Sequence, residues 1–396
     1  MKVMIVGGGI AGLVSAIALH KARIPATVYE AADYGHEGVG AYLTVAVNGL
    51  HALKAIDVDI ASLGGFETPR MALSLGSGLR LAEFDYGPVT ADGVRSLTIR
   101  RATLYASLRD EALRRGIQIE YGKRLRYAQR VTGGQVRATF ADGSEAVGDV
   151  LIGADGLGSR VRALIDAQAP RPRYVGLLNT GGYARGIAVP GAPGTMQMIF
   201  GRRCFFGYIP HPNGEVLWFA NPASKREQTK AELAAITPAQ WRAELEALFA
   251  IDDTPALDII RATAEIIPPW NTYDFPTVPT WHRDGMIIIG DAAHATSPSS
   301  GQGASMAIED AVALAICLRD GADVEAAFAR FETMRRERVE RVVALGKKAG
   351  DGKTPGPIGR VLRDLILRWV FSRKSTRTKD DRAWIFDYRL QWERAV

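Results

Sequence analysis

The chain opens with Met1-Lys-Val-Met-Ile-Val-Gly-Gly-Gly-Ile-Ala-Gly12, and this stretch decides the fold. The apolar run Val3 to Val6 predicts a short buried strand, and Gly7, Gly9 and Gly12 follow it in G-x-G-x-x-G spacing. The first glycine permits a tight strand-to-helix turn, the second lets the backbone approach a pyrophosphate, and the third lets helix and strand pack closely. The stretch therefore predicts the start of a dinucleotide-binding βαβ unit.

The residues after the glycines complete that unit. Ile10 to Ala22 form an apolar, helix-like stretch, whose N-terminus would face the phosphates with free N–H groups and the positive end of its dipole. A second apolar run, Ala26 to Tyr29, ends in Glu30, where an acidic side chain accepts hydrogen bonds from an adenosine ribose. Because strand, glycines, helix, strand and acid come in the required order, the prediction rests on more than the glycine spacing.

The composition is that of an ordinary globular protein with two domains. The 396 residues can bury a sizeable core, and 47% of them are hydrophobic and 23% charged. The formal charge of +6 is spread along the chain, which disfavours a nucleic-acid partner. Cys204 and Cys317 lie far apart in apolar runs, so we expect two buried free thiols and a cytoplasmic location. We expect no signal peptide, and no run reaches the roughly 18 apolar residues of a membrane span.

The pattern of elements predicts an α/β fold, with a Rossmann-like nucleotide-binding domain, an inserted mixed β-sheet domain and C-terminal helices. Strand-like runs dominate between Arg171 and Pro269, and the alternating pattern of strands and long helices resumes after them. The expected boundaries assign residues 1–70, 97–170 and 270–350 to the nucleotide-binding domain, residues 71–96 and 171–269 to the inserted domain, and residues 351–396 to a C-terminal extension.

The C-terminal extension contains a loop and an amphipathic stretch. Gly346 to Gly359 predict a loop, and its Gly352-Lys353-Thr354 imitates the end of a phosphate-binding loop but lacks the first glycine and the preceding strand. In Ile358 to Phe371, one helical stripe is formed by Leu362, Leu365, Ile366 and Trp369. The stripe fits a helix docked on the two domains, which we favour, or a helix on a membrane surface.

Two later motifs have the chemistry of cofactor-binding strand ends. Asp149-Val-Leu-Ile-Gly-Ala-Asp-Gly-Leu-Gly-Ser-Arg-Val-Arg162 predicts a strand, a tight turn and a basic helix start. Gly285 to Asp310 contain a buried strand that ends in Gly290-Asp291, and then Gly301-Gln302-Gly303 at the start of a long helix. An acid at a strand end can bind ribose or ribityl hydroxyls, and the helix start offers N–H donors to a negatively charged ring edge.

With the N-terminal glycines, these motifs resemble those of the flavoprotein aromatic hydroxylases, the group A monooxygenases with the p-hydroxybenzoate hydroxylase fold. The resemblance covers Met1 to about Leu345, and within the family the chain is similar to salicylate, 6-hydroxynicotinate and urate hydroxylases. It implies that the nucleotide-binding domain binds FAD and that the inserted domain binds the substrate.

The same resemblance implies a set of FAD-binding residues. Thr44 follows Val39-Gly40-Ala41, a segment that runs beside the flavin in the family, and Leu125 matches a backbone contact on the adenine side. Asp155 matches a motif associated with both FAD and NAD(P)H, although it could simply cap the turn before Ser159 and Arg162. The full set is Gly7, Gly9, Ala11, Gly12, Glu30, Ala31, Thr44, Arg101, Leu125, Asp155, Asp291, Gly301, Gln302, Gly303, Ala304 and Ser305.

The implied activity is that of an FAD-dependent monooxygenase. NADPH or NADH would reduce FAD as a transient co-substrate, and a flavin C4a-hydroperoxide would hydroxylate an electron-rich aromatic or polyketide-like ring. The expected partners are a small aromatic substrate and O2, and we expect no metal ion. The sequence is compatible with a homodimer. The alternatives are an FAD-dependent epoxidase, reductase or halogenase, or a non-catalytic FAD-binding protein. Phe205 to Pro210 lack both tryptophans of the halogenase motif.

Arg203 and His294 are the candidate catalytic residues. His294 lies near the flavin-ring segment, where it could do acid–base work or make a structural hydrogen bond. Arg203 matches a substrate-binding arginine of the urate hydroxylases, although a buried structural arginine would fit the pattern equally well. Leu217 stands where those enzymes have a tyrosine, which disfavours urate. A four-residue hairpin loop at His211 to Gly214 would place one group of side chains on the substrate face: Arg203, Phe205, Gly207, Ile209, Val216, Trp218 and Ala220.

Overall fold

The computed structural model of the protein describes residues 1–33, 41–351, 353, 356–372 and 383–394. Its α/β architecture agrees with the prediction, because a mostly parallel sheet packed between helices is joined to a separate mixed sheet. Val39 and Gly40, of the segment expected beside the flavin, lie outside the described residues.

The strands alternate with helices in the first and last parts of the chain and follow one another in the middle. They are β1 (Val3–Val6), β2 (Ala26–Tyr29), β3 (Tyr42–Val45), β4 (Phe66–Glu67), β5 (Arg70–Leu75), β6 (Arg80–Asp85), β7 (Leu97–Arg100), β8 (Gln118–Glu120), β9 (Leu125–Arg130), β10 (Val136–Phe140), β11 (Glu145–Gly148), β12 (Val150–Gly153), β13 (Arg173–Ala184), β14 (Thr195–Phe200), β15 (Phe205–Pro210), β16 (Val216–Asn221), β17 (Thr263–Asp274), β18 (His282–Arg283) and β19 (Met286–Ile288).

The α-helices include two long ones near the C-terminal end. They are α1 (Ile10–Lys21), α2 (Val47–Ala55), α3 (Arg101–Arg114), α4 (Arg160–Ile165), α5 (Lys230–Ala235), α6 (Pro238–Phe249), α7 (Ala256–Arg261), α8 (Asp291–His294), α9 (Gly303–Asp320), α10 (Val324–Asp351), α11 (Pro357–Ser372) and α12 (Ala383–Phe386).

A six-stranded sheet forms the centre of the nucleotide-binding region, in the order β18-β19-β12-β1-β2-β8. All neighbouring pairs from β19 to β8 are parallel, and β18 pairs antiparallel with β19. The whole of β1 and β12 is buried, as expected for strands covered by helices on both faces. Parallel pairing brings the carboxyl ends of β1, β2, β12 and β19 to one edge, which positions the site.

A seven-stranded mixed sheet forms the second layer, in the order β17-β13-β16-β15-β14-β5-β6. One face packs against α6 and α7 through a core that includes Phe206, Trp218, Trp241 and Phe249. Strands β5 and β6 belong to this sheet, although they precede most of it in sequence. This membership supports the predicted placement of residues 71–96, and the domain boundaries themselves stay a prediction.

The loop of the hairpin between β15 and β16 is one residue shorter than predicted. The loop has three residues, because the His211 N–H donates to the Glu215 carbonyl at 2.8 Å and Gly214 closes the turn with φ +88°. Tyr208 therefore pairs with Trp218 and Gly207 with Phe219. A shift of one residue in the register moves every side chain of a strand to the other face of the sheet. The assignment of Val216, Trp218 and Ala220 to the substrate face was therefore wrong.

The C-terminal extension also differs from the prediction. Helix α10 continues through Gly346 to Asp351 and does not end at Leu345. Gly346 allows this helix to pack closely, since a Cβ there would lie 2.8 Å from Thr296 Oγ1. Helix α11 exists, but with respect to the described residues its apolar stripe is largely exposed and not docked on the two domains. Its exposed fractions are 53% for Val361, 58% for Leu362, 57% for Leu365, 49% for Ile366 and 56% for Trp369.

Arg363, on another side of α11, makes the contact with the seven-stranded sheet. Its guanidinium donates to the carbonyl oxygens of Phe200 and Gly201 at 3.3 and 3.1 Å. Sequence periodicity identified the apolar stripe but not which side of the helix packs. Within the described parts of the chain, no helix combines the length and apolar character required to cross a bilayer.

Candidate active site

Four strand ends of the six-stranded sheet bring the predicted cofactor motifs together. Val6 pairs with Tyr29 on one side and Gly153 on the other, and Gly153 pairs with Ile288. The segments that begin at Gly7, Glu30, Ala154 and Ile289 therefore leave the same edge of the sheet. This is the edge at which α/β proteins of this type bind ligands.

The three glycines of the first motif differ in what surrounds them. A Cβ on Gly7, which has φ +103°, would lie 2.4 Å from the Ala154 carbonyl oxygen. A Cβ on Gly12 would lie 1.9 Å from the Gly7 carbonyl oxygen, so both residues must be glycine for the fold. Gly9 has no atom within 4 Å of such a Cβ, and no side chain caps α1 at this residue. The open space at Gly9 fits a pyrophosphate.

Glu30 is buried beside the glycine loop. Its carboxylate accepts hydrogen bonds from the backbone N–H groups of Gly8 at 2.6 Å and Ala32 at 2.8 Å. The side chain is 5% exposed, so these charged hydrogen bonds hold the loop and the Glu30–Ala31 corner in a fixed relation. Glu30 thus supports the loop in addition to its predicted contact with ribose.

Asp155 caps α4. Its carboxylate accepts from the Ser159 hydroxyl at 2.5 Å and from the N–H groups of Arg160 and Val161 at 2.7 and 3.1 Å. This is the capping role that the sequence analysis gave as the alternative for Asp155. Arg162, on the same helix, donates to the Ala292 carbonyl at 2.9 Å and so ties this motif to the Gly290-Asp291 turn.

Asp291 and His294 lie on the short helix α8 and have different environments. Asp291 is exposed at the strand edge, where its carboxylate can accept from a sugar hydroxyl. The His294 ring is buried, and its Nε2 lies 2.5 Å from Asp310 Oδ2, beside the ring of Trp281. That geometry supports the structural alternative for His294, because its Nε2 is committed to a buried carboxylate.

The start of α9 presents backbone donors. The Met306 N–H makes the first α-helical bond, to Gln302, so the N–H groups of Gly303, Ala304 and Ser305 have no partner within the helix. The side chains of Gln302 and Ser305 contact the protein instead: Gln302 accepts from Asn48 at 3.0 Å and Ser305 from the Ala46 N–H at 3.0 Å. Only the backbone of this segment is available to a flavin ring.

The remaining predicted FAD residues surround the same edge. Thr44 Oγ1 lies 2.8 Å from Thr98 Oγ1, and the exposed Arg101 begins α3 with its N–H on the Ala41 carbonyl at 3.1 Å. Leu125 is buried at the start of β9, two residues after Lys123, whose N–H donates to the Glu30 carbonyl at 2.7 Å. Of the predicted flavin-side segment Val39-Gly40-Ala41, only Ala41 falls within the described residues.

The other face of the seven-stranded sheet meets the α9 start. Tyr86 packs on this face with Met71, Met196 and Ile209, and its hydroxyl oxygen would lie 2.8 Å from a Cβ on Gly301. The face continues through Phe205, Gly207, Leu217, Phe219 and Asn221. A Cβ on Gly207 would lie 2.3 Å from the Phe219 ring, so the Phe219 side chain fills the space beside Gly207.

Arg203 lies outside this arrangement. It precedes β15, is exposed, and its guanidinium donates to the Ala247 carbonyl of α6 at 3.1 Å. Helix α6 covers the opposite face of the sheet, so the prediction that Arg203 reaches a substrate beside the flavin was wrong. Alternation along a strand predicted the face of this residue, but the strand begins two residues later.

Several functional candidates gave no sequence signal. Arg335 is completely buried and pairs with both Glu309 and Asp310, and Tyr42 has a buried hydroxyl without a hydrogen-bond partner among the described residues. Lys353, which we discounted as part of a false phosphate loop, is 7% exposed on the apolar face of the seven-stranded sheet. Each depends on contacts between residues far apart in sequence.

Comparison with known proteins agrees with this geometry. The FAD binding domain family matches residues 1–348. The chain is 31% identical to an FAD-dependent urate hydroxylase of Klebsiella pneumoniae over 89% of the chain and 90% of that protein. It is 30% identical to the aurachin C monooxygenase/isomerase of Stigmatella aurantiaca, over 96% of the chain and 97% of the relative.

A solved structure extends the comparison to the fold. The crystal structure of Klebsiella pneumoniae HpxO complexed with FAD and uric acid matches with a TM-score of 0.83 and 26% identity. The match covers 98% of this chain and 95% of HpxO. The fold of this chain therefore has a counterpart in a protein whose structure was solved with FAD.

Proposed function

We propose a substrate class and a set of site residues for this chain, which belongs to the FAD binding domain family of FAD-dependent monooxygenases. Its cofactor is FAD and its co-substrate is NAD(P)H, as is typical of the family. The proposed substrate is a small, electron-rich aromatic or polyketide-like ring that accepts one oxygen atom from O2. We place the enzyme in the cytosol, because Cys204 and Cys317 are buried free thiols.

One observation supports the proposal of an aromatic substrate. The apolar face of the seven-stranded sheet meets the Gly301 segment at Tyr86, so a ring bound on that face lies beside the proposed flavin-ring site. The aromatic side chains of Phe205, Phe219 and Tyr42 line this face and can contact a flat ring. A hydrophobic and aromatic lining with few polar groups is typical of small-molecule sites.

The proposed FAD site uses the strand edge of the six-stranded sheet. Gly7, Gly9, Ala11 and Gly12 would approach the pyrophosphate, Glu30 and Ala31 the ribose, and Leu125 the adenine side. Arg101, Asp155 and Asp291 would contact the cofactor from the neighbouring segments, and Thr44 would lie beside the flavin. The free N–H groups of Gly303, Ala304 and Ser305 would face the ring. FAD, when bound, supplies electron transfer from NAD(P)H and the activation of O2.

Reconstitution and a substrate screen test the proposal. The purified chain should bind one FAD, and a panel of phenols and hydroxylated heteroaromatic rings should accelerate NAD(P)H oxidation with one NAD(P)H consumed per hydroxylated product. Incorporation of one 18O atom from labelled O2 should identify the product. A chain that binds no FAD, or whose NAD(P)H oxidation no ring compound accelerates, would contradict the proposal. Recovery of an epoxide from an alkene in the panel would favour the epoxidase alternative.

A further inference from the structure

Lys353 is a buried lysine on the apolar sheet face. It follows α10, where its N–H donates to the Gly350 carbonyl at 3.0 Å, and its side chain is directed at the ends of β15 and β16. Its Nζ lies 2.6 Å from Asn221 Oδ1 and 4.2 Å from the centre of the Phe205 ring. The amine is thus fixed by one hydrogen bond and one aromatic face.

Within the described part of the chain, no carboxylate forms an ion pair with the Lys353 amine. Burial lowers the pKa of the Lys353 amine to about 7. Buried lysines are ordinarily paired with an acid, because an isolated ammonium loses its hydration. A lysine that is buried, unpaired and poised between its two protonation states is typical of a functional group.

The acceptor of Lys353 is itself held in place by a polar chain. The Asn221 amide N–H donates to Asn179 Oδ1, and the Asn179 amide donates to Thr272 Oγ1 at 2.7 Å. These bonds fix the Asn221 carbonyl oxygen toward Lys353 Nζ. A lysine amine has more hydrogen-bonding positions than this single bond uses, so at least one is left for a ligand.

Lys353 lies on the proposed substrate face, and the helix that precedes it packs on the flavin-ring segment. The last turns of α10 pack on the segment before Gly301, since a Cβ on Gly350 would lie 3.5 Å from Ser299 Oγ. On the sheet, the Phe219 ring lies 5.6 Å from Lys353 Nζ and 6.2 Å from the ring of Tyr42. The Phe219 ring thus lies near two residues whose polar groups are buried, Lys353 and Tyr42.

We propose that Lys353, held in place by Asn221, binds the acidic hydroxyl of a phenolic or enolic ring and is the base that ionises it. The proposal rests on the monooxygenase function above and narrows its substrate to rings that carry such a hydroxyl. The O–H bond of the substrate breaks and an N–H bond forms at Nζ, giving an oxyanion paired with an ammonium ion, without any change of oxidation state. The oxyanion enriches the ring in electrons, as attack by an electrophilic oxygen requires.

Matched ligand pairs provide the first test. Phenols and their O-methyl ethers are titrated against the full-length, FAD-loaded protein, and binding is followed by the change in flavin absorbance. The wild type should bind phenols about 10- to 100-fold more tightly than the matched ethers, which cannot give up a proton. A wild type that binds no phenol more tightly than its ether would overturn the proposal, and this comparison requires no variant.

Two variants then assign the preference to Lys353. In Lys353→Met, the phenol-to-ether ratio should fall to about one, because the apolar contacts are kept and the amine is lost. Lys348→Met, an exposed lysine of α10, should keep the wild-type ratio. A Lys353→Met protein that retains the ratio would overturn the assignment, and a merely structural role would weaken both ligands equally. Failure to bind FAD, or to oxidise NAD(P)H with any ring compound, would instead count against the monooxygenase function.

Discussion

Arg335 and Asp310 form an ion pair with no exposed side-chain surface, with Nε 2.7 Å from Oδ1. Asp310 also accepts from the Gly290 N–H at 2.9 Å, so the pair holds the turn that presents Asp291. Glu309, its neighbour on α9, pairs with Arg335 and with Arg338 of α10. Two buried acids and two arginines thus join α9 and α10 beneath the proposed flavin site.

Arg335→Met should lower the free energy of unfolding by about 3–5 kcal/mol, because it leaves buried carboxylates without their cation. Denaturant unfolding of the FAD-free protein measures the change. Arg330→Met removes an exposed arginine of the same helix and should cost less than about 0.5 kcal/mol. Equal effects of the two substitutions would show that the buried pair does not stabilise the fold.

Acid should weaken the fold through Asp310. Burial raises the pKa of this carboxyl, but the charges of His294 and Arg335 outweigh burial and lower the pKa to about 2. A depressed pKa gives stability that is complete above the unfolded value of about 4 and lost as pH falls toward 2, amounting to ~2–3 kcal/mol. Unfolding measured from pH 5 to pH 2 should show this loss in the wild type, and an Asp310→Asn protein with the same slope would contradict it.

Gly9→Ala should separate cofactor binding from folding. A Cβ at Gly9 meets no protein atom within 4 Å, so the FAD-free variant should be destabilised by less than about 1 kcal/mol. The methyl group would occupy the space of the pyrophosphate and raise the FAD dissociation constant at least tenfold, about 1.4 kcal/mol. Gly12→Ala, whose Cβ would lie 1.9 Å from a carbonyl oxygen, should prevent folding. Unchanged FAD affinity in Gly9→Ala would remove this loop from the site.

Gly303→Val should impair flavin reduction more than the fold. A Cβ at Gly303 would lie 3.6 Å from Thr296 Cγ2, an ordinary contact, so unfolding should change by less than about 1 kcal/mol. The branched side chain would cover the free N–H groups of α9 and slow reduction by NAD(P)H at least tenfold, by analogy with the ~10²–10³ loss when one anion-stabilising donor is removed. Stopped-flow reduction at the wild-type rate would place the flavin ring elsewhere.

Arg203→Met should leave the apparent substrate constant within about twofold of the wild type, because surface substitutions away from a site have small effects. The measurement is stimulated NAD(P)H oxidation with the best ring compound from the screen. Phe219→Leu, on the apolar face, should raise that constant. A large effect of Arg203→Met with none of Phe219→Leu would restore the original assignment of the substrate face.

The sequence predicted those parts of the protein that depend on local pattern. The strand, glycines and helix from Val3 to Lys21 follow from residue types in consecutive order, and the structure has β1 and α1 there. The register of β15 against β16 depended on whether the loop had three or four residues, and the spacing His211 to Gly214 is compatible with both. The apolar stripe of α11 predicts a helix, but tertiary contacts decide which side packs.

In the candidate site too, local sequence pattern predicted some residues, and tertiary contacts decided the others. The glycines and the acids at strand ends are local signals, and Glu30 and Asp291 lie at the predicted edge. Arg203 was assigned to the substrate face by alternation, although β15 begins only two residues later, and its guanidinium contacts α6 instead. Lys353 meets Asn221, a residue 132 positions earlier, and no local pattern contains information about such a contact.

The strand order has a consequence for the newly made protein. β1 leaves the ribosome well before two strands of its sheet, because one of its neighbours begins at residue 150 and the strand beyond that begins at residue 286. At about 5–20 residues per second, roughly 15 s to a minute of translation separates the glycine loop from the last of these strands. During that interval the nascent chain has an incomplete nucleotide-binding edge, so FAD can stabilise the fold only after most of the polypeptide has been synthesised.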